Sequence, residues 1–188
     1  MDAPFDKLLV LDLDETLVHC RCDWYGGEGP EREADHHICG SFQMYERPGV
    51  RDFLTWCFEN FRDVGVWTAG TLPYAQEVLP ILCDMNKFSF VWGRERCGSR
   101  RDMETHETHW VKDIAKLRKR GYSKHKILCV DDTPQNFYRS YGNFVHMPAY
   151  YGDPGDDMLP RLAEYLEELG PLSNVRSVDK RGWPTRAL

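Results

Sequence analysis

No apolar run in the 188-residue sequence approaches the roughly 20 residues of a membrane-spanning helix, so no helical bilayer span is expected. The first residues, Met1-Asp2-Ala3-Pro4-Phe5-Asp6, lack both the basic region and the apolar stretch of a secretory signal. The seven cysteines are odd in number and irregularly spaced, which argues against a disulfide framework and for a reducing compartment. The expectation is a soluble intracellular protein, cytoplasmic or, in a eukaryote, nuclear. Internal repeats are absent, and the one biased stretch is the acidic, glycine-containing segment Asp23 to Asp35. Basic charge is scarce: 24 Lys and Arg face 30 Asp and Glu, and a net charge of −6 disfavours bulk binding to nucleic acid or an anionic membrane. The scarcity is uneven. Arg94 to Lys126 holds 11 basic and 5 acidic residues, a local +6 that leaves −12 for the remainder. That stretch reads either as a solvated helix face with a basic end or as a rim attracting an anionic substrate.

What is present suits one domain that buries a core without metal or disulfide staples. Lys7 to Leu13 is a continuous apolar run ending in acids, the pattern of a strand buried on both faces. Val50 to Phe61 has helical spacing and is entered through Arg47-Pro48-Gly49. Val64 to Thr68 repeats the buried strand, and Thr71-Leu72-Pro73 opens a helix to about Cys83, with Thr71 as N-cap. Phe88 to Trp92 reads as a short strand, Trp110 to Arg120 as an amphipathic helix stopped by Gly121, and Lys126 to Val130 as a strand ending in Asp131-Asp132. A weaker strand, Asn143 to Met147, and a helix, Asp156 to Leu169, follow. Strands alternating with helices predict right-handed βαβ units: a Rossmann-like three-layer α/β/α sandwich with a central, mainly parallel sheet and a small cap or none. This domain is expected over residues 1–170. The tail, residues 171–188, shows no periodicity and is expected to be loosely packed or partly disordered.

Two of the strands end in paired carboxylates, Asp12-Leu13-Asp14 and Asp131-Asp132, and a third in Thr68-Ala69-Gly70. Ligands of open α/β sheets bind beyond the carboxyl ends of the strands, so these residues gather around one crevice. Four carboxylates there repel one another unless a cation sits among them, and an oxygen-rich set of this kind suits Mg²⁺.

Asp12-Leu13-Asp14-Glu15-Thr16-Leu17-Val18-His19 resembles the first signature of haloacid-dehalogenase-superfamily phosphatases. It is closest in pattern to the Asp-x-Asp-x-Thr branch that dephosphorylates the carboxy-terminal domain of RNA polymerase II. Trp67-Thr68-Ala69-Gly70 resembles the second motif, Trp110-Val111-Lys112-Asp113-Ile114 the lysine motif, and Val130-Asp131-Asp132-Thr133-Pro134 the acidic fourth motif. The likeness runs from about Lys7 to Leu169 with the motifs in order.

The resemblance implies that Asp12 attacks phosphorus to form a phospho-aspartyl intermediate, and that Asp14 protonates the leaving oxygen and later deprotonates water. It implies Mg²⁺ held by Asp12, the Asp14 carbonyl and Asp132, with Asp131 reaching the ion through water. Lys112 offsets charge, Thr68 bonds a phosphoryl oxygen, Thr16 braces the loop beside the substrate, and Gly70 lines the phosphoryl pocket. Tyr74-Ala75 matches a pair lining a phosphopeptide groove, and Arg94-Glu95-Arg96-Cys97 an element whose arginine lies near substrate. For Tyr74 an ordinary helix-face aromatic is the competing reading. The sequence departs from the family in two places. The stretch from Gly98 to His109 is longer, and Trp24-Tyr25-Gly26-Gly27-Glu28 stands where an apolar groove-forming strand is expected.

Cys20-Arg21-Cys22 with His36-His37-Ile38-Cys39 lacks the usual zinc spacing and a second cysteine pair. His106 and His109 are expected in a loop, Cys57, Cys83 and Cys129 in the core, and no cysteine has the Cys-x₅-Arg arrangement of a cysteine phosphatase. The leading expectation is a Mg²⁺-dependent phosphatase acting on phosphoserine or phosphothreonine in a phosphoprotein or phosphopeptide. Phosphotyrosine is also open to it, and no membrane partner is expected. The alternatives are a phosphatase for nucleic-acid 3′-phosphates or small metabolites, and an inactive phosphoprotein-binding module. The intact Asp14 counts against the last, because a binder has no use for a general acid.

Overall fold

The computed structural model describes residues 3–22, 29–101, 103, 104, 106 and 108–185. Trp24 to Glu28, like Asp102, Thr105 and Glu107, lie outside the described residues. The architecture grows outward from Phe5–Leu11 (β1), whose last five residues are buried. Its side chains alternate between two cores, Leu9 and Leu11 on one face and Leu8 and Val10 on the other. That is why the run is apolar throughout rather than every second residue.

Val18–Cys22 (β2), His36–Ile38 (β3) and Phe42–Glu46 (β4) form a separate antiparallel sheet in the order β2-β4-β3. The strands of this small insertion were not expected from the sequence, and the Trp24 to Glu28 stretch between them lies outside the described residues. Its strands bury only Val18, Cys22, Ile38, Met44 and Tyr45, and the polar residues between them masked the pattern.

The helix Val50–Asn60 (α1) leads into Phe61–Trp67 (β5), which lies parallel to β1 with Leu9 opposite Val64 and Leu11 opposite Val66. Gly65 is required on this strand because a Cβ there would lie 2.4 Å from the Phe90 ring. Leu72–Leu82 (α2) starts as the sequence indicates, with the Thr71 hydroxyl accepting from Tyr74 N at 3.4 Å and Pro73 in the first turn.

Phe90–Trp92 (β6) completes that side of the sheet. Gly98–Arg101 (β7) and Thr108–Val111 (β8) form a two-stranded hairpin, so His109 lies in a strand rather than a loop. The expected helix from Trp110 shrinks to one turn, Ala115–Arg118 (α3). The Lys112 main chain donates to Asn136 O at 2.8 Å and the Asp113 carboxylate accepts from Ala115 N at 2.9 Å, which forces a corner where the helix was predicted.

Ile127–Asp131 (β9), Phe144–His146 (β10) and Met158–Leu169 (α4) follow. The five-stranded sheet has the order β10-β9-β1-β5-β6 and every pairing is parallel. The core containing Leu9 and Leu11 also takes in apolar residues of α1, α2 and α4, and the opposite core those of α3 and Phe137, giving an α/β/α sandwich of Rossmann type.

The tail is a further correction. Val175 and Trp183 belong to the core, Trp183 stacks on Tyr165 at 5.2 Å, and its indole donates to His146 O at 2.6 Å. Lys180 is buried and its ammonium donates to the carbonyls of Gly142, Val175 and Val178 at 2.8, 2.5 and 3.0 Å. One aromatic and one three-donor cation secure this segment without the periodicity that would have announced it. No helix among the described residues is long and apolar enough to cross a membrane.

Candidate active site

The site forms where the strands give out. Asp12 N continues the ladder to Val130 O at 2.9 Å, and Thr68 N to Trp92 O at 2.9 Å, so the residues just past β1, β5 and β9 meet along one edge. Asp12 and Asp131 are both buried, and Lys112 stands between them with its ammonium 2.6 Å from Asp12 Oδ1 and 2.5 Å from Asp131 Oδ2. Burial works against the Lys112 charge, but the Asp12 and Asp131 carboxylates outweigh it and hold its pKa above the ordinary range. Thr16 is wholly buried and donates to Asp12 Oδ2 at 3.3 Å. It fixes the second oxygen of Asp12 rather than meeting substrate.

Asp14 is held differently. Thr68 Oγ1 donates to its Oδ2 at 3.1 Å and the Tyr74 hydroxyl donates to its Oδ1. Burial, then the charge of Asp12, push its pKa up to about 6, with the Tyr74 and Thr68 bonds pulling the other way. Burial and the Asp14 charge keep the Tyr74 phenol protonated, so it can only donate to a carboxylate.

Tyr74 and Thr68 thus both bond the Asp14 carboxylate, contacts that the sequence did not indicate. Thr68 Oγ1 also accepts from Gly70 N at 2.8 Å, and a Cβ on Gly70 would lie 3.0 Å from the Tyr74 ring and 3.4 Å from Asp14 Oδ2. Gly70 is therefore what lets the loop fold over the acid. Arg94 is exposed at the lip, with its main-chain N on Gly70 O at 2.7 Å, its Nε on Ala69 O at 2.7 Å and its guanidinium 5.2 Å from the Trp110 ring centre.

The loop carrying these groups bends at Glu15, which has a left-handed φ of 56°. A non-glycine residue rarely adopts this conformation without outside support. The support comes from Arg47, wholly buried, whose guanidinium grips Asp156 at 2.7 and 2.8 Å and the Thr16 carbonyl at 3.1 Å. Tyr150 N also donates to Glu15 O at 2.8 Å. The sequence shows Arg47 only as the entry to a helix and gives Asp156 no role.

Asp12, Asp131 and Asp132 each offer an oxygen within 4.8 Å of the others. Asp131 has both oxygens committed to protein donors. Its Oδ1 accepts from Thr133 N at 2.8 Å and Asn136 Nδ2 at 3.0 Å, and its Oδ2 from Lys112. Asp132 is more open, and burial followed by the Asp12 charge raises its pKa to about 6. The donor set fits Mg²⁺, which prefers one or two direct carboxylates and retained water: Asp12 and Asp132 would bind directly and Asp131 from behind. The Asp14 carboxylate lies outside this trio, so any contribution from Asp14 is left to its main-chain oxygen. Asn136, buried in the turn Pro134–Phe137, is a functional partner that no sequence pattern indicated.

Solved structures with the same fold include Fcp1, an essential RNA polymerase II CTD phosphatase. It shows a TM-score of 0.63 and 18% identity, covering 88% of this chain and 62% of that one. Fission yeast Fcp1-R271A bound to beryllium fluoride gives a TM-score of 0.57 at 18% identity, covering 96% and 54%.

Among curated relatives, CTD small phosphatase-like protein 1 of Caenorhabditis elegans is 30% identical over 172 residues, 90% of this chain and 33% of its own. The human Carboxy-terminal domain RNA polymerase II polypeptide A small phosphatase 1 is 29% identical over 187 residues, 95% and 66%. The chain spans a third to about half the length of the first curated relatives it matches. The family profile described as NLI interacting factor-like phosphatase matches residues 7–176, which carry every residue of the site above, and the chain belongs to that family.

Proposed function

We propose that this domain is a Mg²⁺-dependent phosphatase that hydrolyses phosphoserine or phosphothreonine esters in proteins or peptides through a phospho-aspartyl intermediate. The observation that carries the reading is the division of labour between two carboxylates two residues apart. Asp12 is fixed by Lys112 and Thr16 as a charged nucleophile, while Asp14 is kept near pKa 6 by burial and aimed by Thr68 and Tyr74.

Asp12 forms the bond to phosphorus as the serine or threonine oxygen leaves, and Asp14 hands its proton to that oxygen. Asp14, now ionised, takes a proton from the water that opens the acyl phosphate and so returns to its starting state. A positioned acid–base group contributes about 10²–10⁴ in rate. Lys112 neutralises the charge that Asp12 and the phosphoryl oxygens bring together. Mg²⁺, held by Asp12 and Asp132, would supply the remaining charge neutralisation at the phosphoryl group when bound.

A cap that consists, among the described residues, of the small sheet β2-β4-β3 suits a peptide better than a metabolite that must be enclosed. The chain's similarity to phosphatases of the RNA polymerase II carboxy-terminal domain makes that phosphorylated tail the first substrate to try. The seven free cysteines fit the reducing interior of a cell, cytoplasm or nucleus.

The test incubates the protein with a phosphopeptide set, an oligonucleotide 3′-phosphate and a metabolite panel, and then follows labelled phosphoryl transfer to the chain. Asp12→Asn is expected to abolish both turnover and acid-stable labelling. Near-wild-type turnover in that variant overturns the mechanism.

A further inference from the structure

The local excess of basic residues noted in the sequence resolves into a defined surface. Arg96, Lys116, Lys119 and Arg120 rim a hollow whose floor is Trp92, at the outer end of edge strand β6. The cations are not splayed at random. The Arg96 and Arg120 guanidiniums lie 5.4 and 5.7 Å from the Trp92 ring centre, Arg120 lies 5.1 Å from that of Phe90, and Lys116 Nζ donates to Arg96 O at 2.7 Å. Among the described residues none of the four takes part in an ion pair, and no carboxylate lines the hollow. In a chain of net charge −6, four positive charges gathered without a counter-charge among the described residues attract an anion to this hollow.

We infer that this hollow binds a second phosphate on the same peptide whose first phosphate is hydrolysed at Asp12, which makes the enzyme selective for multiply phosphorylated substrates. The inference rests on the phosphopeptide reading above. The floor connects directly to the catalytic loop, because Trp92 O accepts from Thr68 N at 2.9 Å and Arg94 N binds Gly70 O. β1, β5 and β6 are successive neighbours, so the strands that carry Asp12 and Trp92 lie about two strand spacings, ~10 Å, apart. An extended peptide covers ~3.3 Å per residue, which places the second phosphate roughly three to five residues from the first once side-chain reach is included.

A nucleic acid fits the hollow less well. Trp92 is only 7% exposed and its ring already meets two guanidiniums, so it offers no face for a base to stack on. The rim supplies donors alone, which is what a phosphate dianion needs.

The experiment compares kcat/KM on length-matched peptides carrying one phosphate, or two phosphates four residues apart in either order, with phenyl phosphate as a substrate too small to reach the hollow. One of the doubly phosphorylated peptides is expected to be preferred by about tenfold or more. Lys119→Gln with Arg120→Gln should erase that preference and leave the singly phosphorylated peptide and phenyl phosphate within about twofold. Lys119→Gln alone, on an exposed side chain, should give part of the loss.

Equal rates on one and two phosphates, or a preference the variants do not touch, overturn the hollow and leave the phosphopeptide reading standing. Hydrolysis of phenyl phosphate with no hydrolysis of any phosphopeptide overturns that reading and this inference with it. A charge-dependent gain seen only on an oligonucleotide 3′-phosphate gives the hollow to nucleic acid and overturns the proposal.

Discussion

Replacing Tyr74 by phenylalanine removes one hydroxyl from the buried pocket around Asp14 and little else, so its effect can be worked out in advance. The Tyr74 hydroxyl donates to Asp14 Oδ1, while Thr68 holds the other oxygen at 3.1 Å. A hydrogen bond to a charged group contributes about 1.5–3 kcal/mol, and 1.36 kcal/mol of preference for the ionised form is one pKa unit. The Tyr74 bond lowers the Asp14 pKa, so its loss must raise it further above about 6. The expected shift is about one to two units upward. In the proposed mechanism the first half-reaction needs Asp14 protonated, so it fails as pH rises through its pKa. The alkaline limb of kcat/KM should therefore move to higher pH by about that amount.

The second half-reaction needs Asp14 ionised, so phosphoenzyme should accumulate near neutral pH and the pre-steady-state burst should grow. Both effects belong to the acid itself and must appear on phenyl phosphate as well as on a phosphopeptide. The assay is a pH profile of kcat/KM on the two substrates, with burst amplitude from rapid quench. An unchanged profile on phenyl phosphate beside a lowered kcat/KM on the peptide would refute the reasoning and return Tyr74 to a peptide groove.

The metal site can be probed by titration: Asp132→Asn should raise the Mg²⁺ concentration for half-maximal activity at least tenfold, and a chelator should abolish wild-type turnover. A change in maximal rate without a change in Mg²⁺ requirement would remove Asp132 from the ligand set. Asp156→Asn leaves the buried Arg47 guanidinium without its counter-charge, which should cost about 3–5 kcal/mol measured by denaturant unfolding. Trp183→Ala should cost a similar ~3–5 kcal/mol, shown as a lower unfolding midpoint with kcat/KM nearly unchanged in the folded fraction. A loss below about 0.5 kcal/mol would mean that the tail is not docked in solution.

The parallel sheet was legible because burial on both faces writes itself as unbroken apolar runs, Leu8 to Leu11, Val64 to Trp67 and Ile127 to Val130. The start of helix α2 was legible because Thr71 and Pro73 mark it chemically, and its end at Leu82 falls one residue short of the Cys83 expected. The hairpin of β7 and β8 was not, since all four residues of β7 are exposed and no alternation of burial exists to be read. Trp110, Ile114 and Leu117 carry a helical spacing that the corner at Lys112 and Asp113 overrides, and that corner is what turns Lys112 into the site.

The identities of Asp12, Asp14, Lys112, Asp131 and Asp132 followed from strand ends and motif order. The roles of Tyr74, Thr68 and Thr16 did not, because which oxygen a hydroxyl meets depends on loop curvature that only the packed Arg47 and Asp156 define.

The Arg47 clamp has a consequence for the order in which the molecule comes into being. Lys112 and Asp131, which share one hydrogen-bonded cluster with Asp12, are synthesised about a hundred residues after it. The bend at Glu15 is secured only when Tyr150 and Asp156 have emerged. Contacts so distant along the chain close last. A nascent or truncated chain that ends before Asp156 carries the catalytic signature without the geometry that animates it. The arrangement around Asp12 and Asp14 is therefore completed by the segment that carries Tyr150 and Asp156 rather than by the segment that bears the two carboxylates.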